Sequence, residues 1–387
     1  MSSSSLLGLA VERDSQTMTL SDGRTLGFAE YGIPEGHPVI YLHGFPSNRL
    51  EGMAFDKTAK KHKIRLLSLD RPGFGLSTLQ RDRQLLDWPD DVLAFAEAQG
   101  ISKFGVLGAS GGGPYVLACA RKLPPTALTH IGIMCGSGDF SPASRQAGAI
   151  PRRSLWTEFL VKRWPWGFRF ILGSIVGLAR WIIRTKTVTR WIDSWLAKVD
   201  EQAAARQAEV QTANQETGNP DAGALPSSGS SVDSFEQVSS VAASVESLST
   251  VTTKPESSKA VEDNSAVTTD GAGDDTPKRT IPERCEAILR ALFDTFAQGY
   301  RGTLEDARVL ASDYGFKYED ITFDPVMFWH GDKDVNTPLP WIKLIADRIP
   351  HASLKVYPGK THYNLIEEVD EILAHFSSET VAEEEAK

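Results

Sequence analysis

The chain has 387 residues, 41% of them hydrophobic and 24% charged, proportions typical of a globular protein with one large domain or two ordinary ones. Its formal net charge of −9 argues against nucleic acid as a partner, because nucleic-acid phosphates are bound by basic surfaces. Three widely spaced cysteines supply neither a disulfide framework nor a Cys/His ligand cluster, so we expect no metal, no other cofactor and a reducing compartment.

Short apolar runs alternate with helical patterns between about residues 15 and 140. Two runs flank Asp22-Gly23, a two-residue turn signal, and predict a β-hairpin. Unbroken apolar runs at 39–42, 66–69, 104–107 and 131–134 predict strands buried on both faces, as in a parallel sheet. A helical pattern from Leu85 to Gln99 ends at Gly100, a residue suited to a helix C-terminus. Strands alternating with helices predict an α/β fold.

The pattern changes between about residues 141 and 200, where amphipathic helices rich in tryptophan and basic residues are predicted. We interpret this segment as a helical cap whose apolar faces cover the end of the sheet. A second interpretation is peripheral membrane contact through residues 152–198, since tryptophan with basic side chains suits the membrane interface. The segment contains six of the nine tryptophans: Trp156, Trp164, Trp166, Trp181, Trp191 and Trp195.

Residues 200–280 are rich in Ser, Thr, Ala, Glu and Asp, and such a segment buries too little apolar surface to fold, so it is predicted to be a disordered insert. A second cap helix is predicted at 281–300. The α/β pattern then resumes with strands at 325–329 and 353–357 and helices at 341–349 and 363–376. The predicted core thus comprises residues 15–140 and 300–387, with a cap at 141–200 and 281–300.

Residues 108–112 read Gly-Ala-Ser-Gly-Gly and lie between an apolar strand and a helical pattern. The pattern G-x-S-x-G in this context is typical of a nucleophile elbow, in which a sharp turn lifts the serine above the sheet. The glycines allow the strand and the helix to pass close together. Ser110 is therefore the candidate nucleophile. A phosphate-binding loop is disfavoured, because no Lys-Ser/Thr pair follows the glycines.

Residues 43–46, His-Gly-Phe-Pro, directly follow the strand at 39–42. Acyl transfer at a serine needs two backbone N–H groups that stabilise the developing oxyanion. Gly111, immediately after the candidate nucleophile, is predicted to supply one, and Phe45 the other. His43 could be mistaken for a general base, but its early position favours a role in bracing this loop.

Near the end of the chain, two polar residues each follow a predicted strand. The loops at the carboxyl ends of the strands are where α/β sheets carry their functional sites. Asp334 follows the strand at 325–329 and His362 follows the strand at 353–357. The order Ser, Asp, His is that of serine hydrolases with this fold, so His362 is the candidate general base and Asp334 the carboxylate that orients it. Asp332 and Asp139 are the alternative acids.

Together these motifs resemble the α/β-hydrolase superfamily, in particular serine esterase-like members with a helical cap. The resemblance covers about residues 23–138 and 302–372 and includes the Asp-Arg-Pro-Gly-Phe-Gly-Leu-Ser segment at 70–77. It implies an eight-stranded-type, mostly parallel sheet with helices on both faces and an inserted cap. It also implies that Asp70 lies in the pocket wall, outside the catalytic set. Dehalogenases and epoxide hydrolases of the family carry Asp at the position of Ser110, which argues against both activities.

The expected function is hydrolysis of a carboxylic ester, thioester or lactone with a hydrophobic portion, through a covalent acyl-enzyme. The same residues leave open carbon–carbon bond hydrolysis, haloperoxidase-like perhydrolysis, hydroxynitrile cleavage and a non-catalytic ligand-binding protein on this fold. The absence of recognisable targeting signals favours the cytoplasm. The sequence does not indicate the oligomeric state.

Overall fold

A computed structural model describes residues 13–183, 185, 190, 194, 197 and 289–377. Eight strands form one sheet in the order β1-β2-β4-β3-β5-β6-β7-β8, and only β2 runs against the others. The predicted mostly parallel eight-stranded sheet is thereby confirmed. The strands are β1 (Gln16–Thr19), β2 (Thr25–Gly32), β3 (His37–Leu42), β4 (Ile64–Leu69), β5 (Phe104–Ala109), β6 (Leu128–Met134), β7 (Val326–Gly331) and β8 (Ala352–Tyr357).

Helices cover both faces of this sheet. The α-helices are α1 (Asp56–Lys61), α2 (Trp88–Ala98), α3 (Gly113–Lys122), α4 (Pro142–Gln146), α5 (Arg152–Arg163), α6 (Pro165–Ile183), α7 (Arg301–Leu310), α8 (Leu339–Ala346) and α9 (Val369–Ala374). Residues 289–295 are also helical. Short 3₁₀ helices lie at Arg49–Phe55, Leu85–Asp87, Ser110–Gly112, Pro125–Ala127, Tyr318–Asp320 and Asn364–Glu368.

The sheet separates two apolar cores, and β3 contributes to both. Ile40 and Leu42 pack in the core that contains side chains of α2, α3 and α8. Val39 and Tyr41 point to the opposite face and pack in the core shared with α1 and α9. Successive side chains of a strand alternate between faces, so a strand buried on both sides needs an unbroken apolar sequence. This is why the apolar runs predicted the central strands.

Two turns form where glycine was expected. Asp22 and Gly23 connect β1 to β2, and Gly23 has φ +83°. Gly100 has φ +68° and follows α2, whose last turn it closes by donating its N–H to the carbonyl of Glu97 at 3.0 Å. Both positions lie in the left-handed region, which glycine adopts without steric cost. The predicted hairpin and the predicted end of the helix are confirmed.

Residues 289–300 differ from the single helix predicted at 281–300. Residues 281–288 lie outside the described part of the chain, residues 289–295 are helical, and the chain then turns at Gly299. A further helix, α7, follows, which the apolar pattern did not reveal. A side-chain atom at Gly302 would collide with the carbonyl oxygen of Gly73, so two glycines allow α7 to lie against the 70–77 segment.

The insert predicted at 200–280 lies outside the described residues, and the division into core and cap stays a prediction. Within the described part of the chain, no helix combines the length and apolar character needed to cross a membrane. Within the segment predicted as the cap, helix α6 also departs from the expected packing. Trp166, Phe170 and Trp181 on α6 are 70%, 74% and 69% exposed, so these side chains face outward and do not cover the sheet.

Candidate active site

Ser110 lies at the sharp turn between β5 and α3, with φ +50°. A side chain with a Cβ atom is strained in this region of φ, and such strain recurs at functional sites. The glycines around it are needed for close packing. A Cβ atom at Gly108 would lie 2.6 Å from Cγ2 of Val116, and one at Gly112 would collide with the carbonyl oxygen of Leu42. The local sequence therefore permits the geometry expected for an elbow.

The structure brings together the three side chains selected from the sequence. Nε2 of His362 lies 3.0 Å from Oγ of Ser110, and Nδ1 of His362 lies 2.7 Å from Oδ2 of Asp334. The three residues are at the carboxyl ends of β5, β7 and β8, which meet at the same edge of the sheet. With Nδ1–H donating to Asp334, Nε2 is free to accept the hydroxyl proton of Ser110.

Asp334 is held in a dense set of hydrogen bonds. Its carboxylate accepts from the backbone N–H groups of Asn336 and Thr337 and from the hydroxyl of Thr337, each at 2.8 Å. Burial acts to raise the pKa of Asp334, but the hydrogen bond from His362 and these donors outweigh it and lower that pKa below its usual value. The carboxylate is thus an anion that can stabilise a charged imidazole. The structural role of Thr337 was not predicted.

The two alternative acids are hydrogen-bonded elsewhere. Oδ1 of Asp332 accepts the N–H of Gly359 at 2.7 Å. Oδ1 of Asp139 accepts the hydroxyls of Ser141, at 2.9 Å, and of Ser144, at 2.5 Å. Both carboxylates therefore have local structural roles, whereas Asp334 contacts the imidazole.

The two amides expected to stabilise an oxyanion lie close together. A Cβ atom at Gly111 would be 2.5 Å from Cβ and 3.1 Å from the backbone N of Phe45, so the two backbones are in contact. The preceding amide is already used, because the N–H of Gly44 donates to the carboxylate of Glu51 at 3.0 and 3.2 Å. Within this loop, Phe45 is therefore better suited than Gly44 to donate to an oxyanion.

His43 braces this loop from beneath, as its position suggested. Its Nδ1–H donates to the carbonyl of Gly44 at 2.8 Å, and its Nε2 accepts the backbone N–H of Arg71 at 3.2 Å. Burial, together with the charge of Arg71, lowers the pKa of His43 well below its usual value. The ring is thus neutral and each of its nitrogens already has a partner, which does not suit a general base.

Arg71 grips the same loop from its carbonyl side. Its guanidinium donates to the carbonyl oxygen of His43 and, at 2.8 Å, to that of Gly44. Glu51 accepts the N–H of Gly44, so Arg71 and Glu51 together hold the carbonyl and the N–H of the peptide group between His43 and Gly44. The sequence signalled Arg71 only as part of the 70–77 segment, without indicating that it supports the oxyanion loop.

Asp306, on α7, is the buried counterion of Arg71. Its carboxylate accepts from Arg71 at 2.9 Å, from the hydroxyl of Tyr115 at 2.5 Å and from Arg83. Burial acts to raise the pKa of Asp306, but the charges of Arg71 and Arg83 outweigh it and leave that pKa lowered. No motif in the sequence signals Asp306, because its partners come from distant parts of the chain.

Among the described residues, Cys135, Asp334 and His362 form a group of metal-ligand types with the relevant atoms within 4.8 Å of one another. Burial and the nearby charge of Asp334 raise the pKa of the Cys135 thiol well above its usual value. The Asp334 carboxylate and Nδ1 of His362 are already hydrogen-bonded to each other at 2.7 Å. The thiol instead donates to the carbonyl of His362 at 3.3 Å, so we assign it a packing role beneath the imidazole.

Comparison with known proteins identifies the family. A sequence profile described as the alpha/beta hydrolase family matches residues 39–375. The chain belongs to this family. Among curated proteins, it is 32% identical over 120 residues to a proline iminopeptidase of Xanthomonas citri, a match covering 30% of this chain and 36% of that protein. A proline iminopeptidase of Xylella fastidiosa is 30% identical over 113 residues, covering 28% and 35%. The matches thus span about a third of these relatives.

Solved structures share the fold across nearly the whole chain. A bromoperoxidase from Bacillus anthracis superposes with a TM-score of 0.53 at 15% identity, covering 94% of this chain and 99% of that one. An esterase from a Rhodococcus species gives a TM-score of 0.51 at 14% identity, covering 94% and 99%. At this identity the similarity establishes the fold of this α/β-hydrolase and leaves its substrate open.

Proposed function

We propose that this α/β-hydrolase is a serine hydrolase that cleaves a carboxylic ester, thioester or lactone with a hydrophobic portion. The observation that carries the proposal is the chain of contacts from Ser110 through His362 to Asp334, with separations of 3.0 and 2.7 Å. Both distances are within hydrogen-bonding range and allow one proton to move between the serine and the imidazole.

In the proposed mechanism, the oxygen of Ser110 attacks the substrate carbonyl carbon while His362 takes the hydroxyl proton. The imidazolium that forms is stabilised by the anionic Asp334. The backbone N–H groups of Phe45 and Gly111 donate to the oxyanion. As the tetrahedral intermediate collapses, the bond from the carbonyl carbon to the leaving oxygen or sulfur breaks, and His362 gives its proton to that atom. The group departs as an alcohol or thiol, or stays attached to the acyl chain as a hydroxyl in the case of a lactone, and the acyl group remains on Ser110. A water molecule, deprotonated by His362, then hydrolyses this acyl-enzyme and restores the serine hydroxyl.

The rigidity of the oxyanion loop supports acyl transfer. Oxyanion donors lower the barrier most when they are held in position before the reaction, because no reorganisation is then needed in the transition state. The loop that carries Phe45 is fixed through the carbonyls of His43 and Gly44 by Arg71, and through the N–H of Gly44 by Glu51. One donor of this type typically lowers the barrier by about 3–4 kcal/mol.

Labelling with a fluorophosphonate, read by intact mass, tests the proposal. We expect one adduct on the wild-type protein and none on Ser110→Ala. Ser102→Ala, which changes an exposed serine outside the site, serves as the matched control and should label like the wild type. His362→Gln should slow labelling by about 10²–10⁴-fold, because the hydroxyl then lacks its base. An unlabelled wild-type protein would instead favour the non-catalytic ligand-binding alternative.

A substrate panel separates the alternatives that use the same residues. It comprises nitrophenyl esters of increasing acyl length, a thioester, a lactone, a vinylogous 1,5-diketone for carbon–carbon hydrolysis, and a peroxide-dependent bromination assay. A proline nitroanilide is included because the curated relatives are named proline iminopeptidases. We expect kcat/KM to rise with acyl length. If the protein turns over only the diketone, or only the proline amide, and none of the esters, the proposed esterase activity is excluded.

A further inference from the structure

Helices α5 and α6 present a large aromatic surface to solvent. We define the aromatic face as the exposed apolar side chains of these two helices and of Trp164, which lies between them: Leu155, Trp156, Phe159, Trp164, Trp166, Phe170, Ile171, Ile175, Leu178 and Trp181. Ring contacts tie neighbours together, with centroid separations of 5.9 Å for Trp156 and Phe159 and 5.0 Å for Trp164 and Trp166. Isolated exposed apolar residues are common, whereas a clustered aromatic surface of this kind marks an interaction site.

The outward orientation of α6 is consistent along the helix. Trp166, Phe170, Leu178 and Trp181 recur at helical spacing and are all exposed, while Val176 on the opposite side is buried. The inner side is further marked by Gly173, where a Cβ atom would lie 3.0 Å from the ring of Tyr300. A surface helix normally turns its apolar side toward the core, so the reverse arrangement indicates that something else covers this side.

Basic residues surround the aromatic face. Residues 141–183 contain seven Lys or Arg residues and one acidic residue, Glu158, in a chain whose formal net charge is −9. Glu158 is itself paired with Arg145 and, at 2.8 Å, with Lys162. Arg152, Arg163 and Arg169 are exposed beside the aromatic side chains. Aromatic and basic side chains together complement the interface of a bilayer that contains anionic lipids.

The aromatic face lies next to the candidate active site. The guanidinium of Arg153, in the first turn of α5, donates to the carbonyl of Val335 at 2.7 Å. Val335 directly follows Asp334 and is 60% exposed, so an exposed apolar side chain lies where α5 contacts the loop of the acid. A partner bound to α5 would therefore lie close to the rim of the site.

We propose that the aromatic face docks peripherally onto bilayers containing anionic lipids, with α5 and α6 in the plane of the interface. This inference goes beyond the proposed hydrolase function and does not depend on it. The aromatic side chains enter the boundary between headgroups and acyl chains, and the arginines contact the lipid phosphates and carboxylates. Docking would bring the candidate active site to lipid-dissolved substrates.

Co-sedimentation with vesicles tests the proposal on the full-length protein. Vesicles of phosphatidylcholine alone are compared with vesicles of phosphatidylcholine and phosphatidylserine, and we expect pelleting mainly with the second. Changing three exposed aromatics to Gln should weaken partitioning by about 10³-fold, because each buried aromatic contributes at least about a factor of ten. The aromatic variant is Trp166→Gln, Phe170→Gln, Trp181→Gln.

A charge variant tests the contribution of the basic residues separately, since it leaves the apolar surface intact. Each basic residue near an anionic surface contributes about fivefold to partitioning, so removing three should weaken it by about 10²-fold and only on anionic vesicles. The charge variant is Arg152→Gln, Arg163→Gln, Arg169→Gln. Its matched control removes three exposed basic residues of the core and should bind like the wild type: Lys57→Gln, Arg81→Gln, Lys317→Gln.

Two results would overturn membrane docking. One is a wild-type protein that stays in the supernatant with both vesicle types. The other is equal pelleting of the wild type and the aromatic variant. If sedimentation velocity without lipid shows a dimer that the aromatic variant lacks, and vesicles bind neither, a second copy of the chain covers the face instead. Ser110→Ala should bind vesicles like the wild type, so failure of the hydrolase proposal and failure of docking remain distinguishable.

Discussion

Replacing Asp306 with Asn removes the anion on which two buried arginines depend. The side chains of Arg71 and Arg83 are 0% and 1% exposed, and both pair with Asp306, which is itself 0% exposed. Asn has nearly the same shape, but it is neutral and directs an NH₂ group toward the guanidinium groups. Removing one partner of a buried ion pair costs about 3–5 kcal/mol, because the remaining charge stays buried without compensation. Two arginines share this anion, so we expect Asp306→Asn to lower the free energy of unfolding by about 4 kcal/mol.

Urea unfolding at neutral pH measures this effect. With an m-value of about 3 kcal/mol/M, a loss of about 4 kcal/mol lowers the unfolding midpoint by about 1.3 M. Asp320→Asn, which neutralises an exposed carboxylate, is the matched control and should leave the midpoint within about 0.2 M of the wild type. A loss below about 1 kcal/mol for Asp306→Asn would refute the view that this anion stabilises the two arginines.

The pH dependence of stability provides a second measurement with a defined sign. The pKa of Asp306 is lowered in the folded protein, while its unfolded value is about 3.9. Its charge therefore stabilises the fold at pH values above about 4, and that contribution is lost as the pH falls through the lower folded value. The stability difference between wild type and Asp306→Asn should stay constant from neutral pH to about pH 5 and shrink below about pH 4. A difference that grows on acidification would contradict this account.

Three further predictions concern the residues around the elbow. Ser110→Gly should be more stable in urea than Ser110→Ala by about 1 kcal/mol, since both lack the hydroxyl and only glycine adopts φ +50° without strain. Equal stability of the two variants would argue against strain at this turn. Gly111→Ala should lower kcat for an ester by about 10²-fold, because the added Cβ, 2.5 Å from Cβ of Phe45, displaces the amide donors. An unchanged kcat would exclude these amides as the oxyanion site. Thr337→Val should lower the free energy of unfolding by about 1–3 kcal/mol, because Asp334 loses a buried donor at 2.8 Å, while Thr337→Ser should retain most of the stability. A larger loss in Thr337→Ser than in Thr337→Val would show that the methyl group, and not the hydroxyl, matters.

The features predicted from the sequence are those encoded by neighbouring residues. The strands were visible because burial on both faces demands an unbroken apolar run. The residues that meet at the candidate site were visible because each follows a strand, and the carboxyl ends of parallel strands converge. Ser110, Asp334 and His362 could therefore be selected together, although Ser110 and His362 are 252 positions apart.

The features that the sequence did not reveal depend on partners distant along the chain. Asp306 is 235 positions from Arg71, and nothing around it resembles a motif. Its helix, α7, mixes polar and apolar residues, so its sequence pattern does not reveal it. The close approach of Gly302 to Gly73, which places this helix against the 70–77 segment, is visible only in the structure. The same holds for α6, whose apolar side was expected to face inward. Periodicity identifies an apolar side but does not specify what that side contacts.

Arg71 connects these observations, because it links a long-range ion pair to the chemistry at the serine. Its guanidinium binds Asp306 on one side and the carbonyls of His43 and Gly44 on the other. The position of α7 is thereby coupled to the loop that carries the Phe45 amide. The same helix contacts α5, which bears part of the aromatic face. Contacts therefore run without a break from α5 through α7, Asp306 and Arg71 to the oxyanion loop, so the surface proposed to dock and the loop proposed to bind the oxyanion share one buried support.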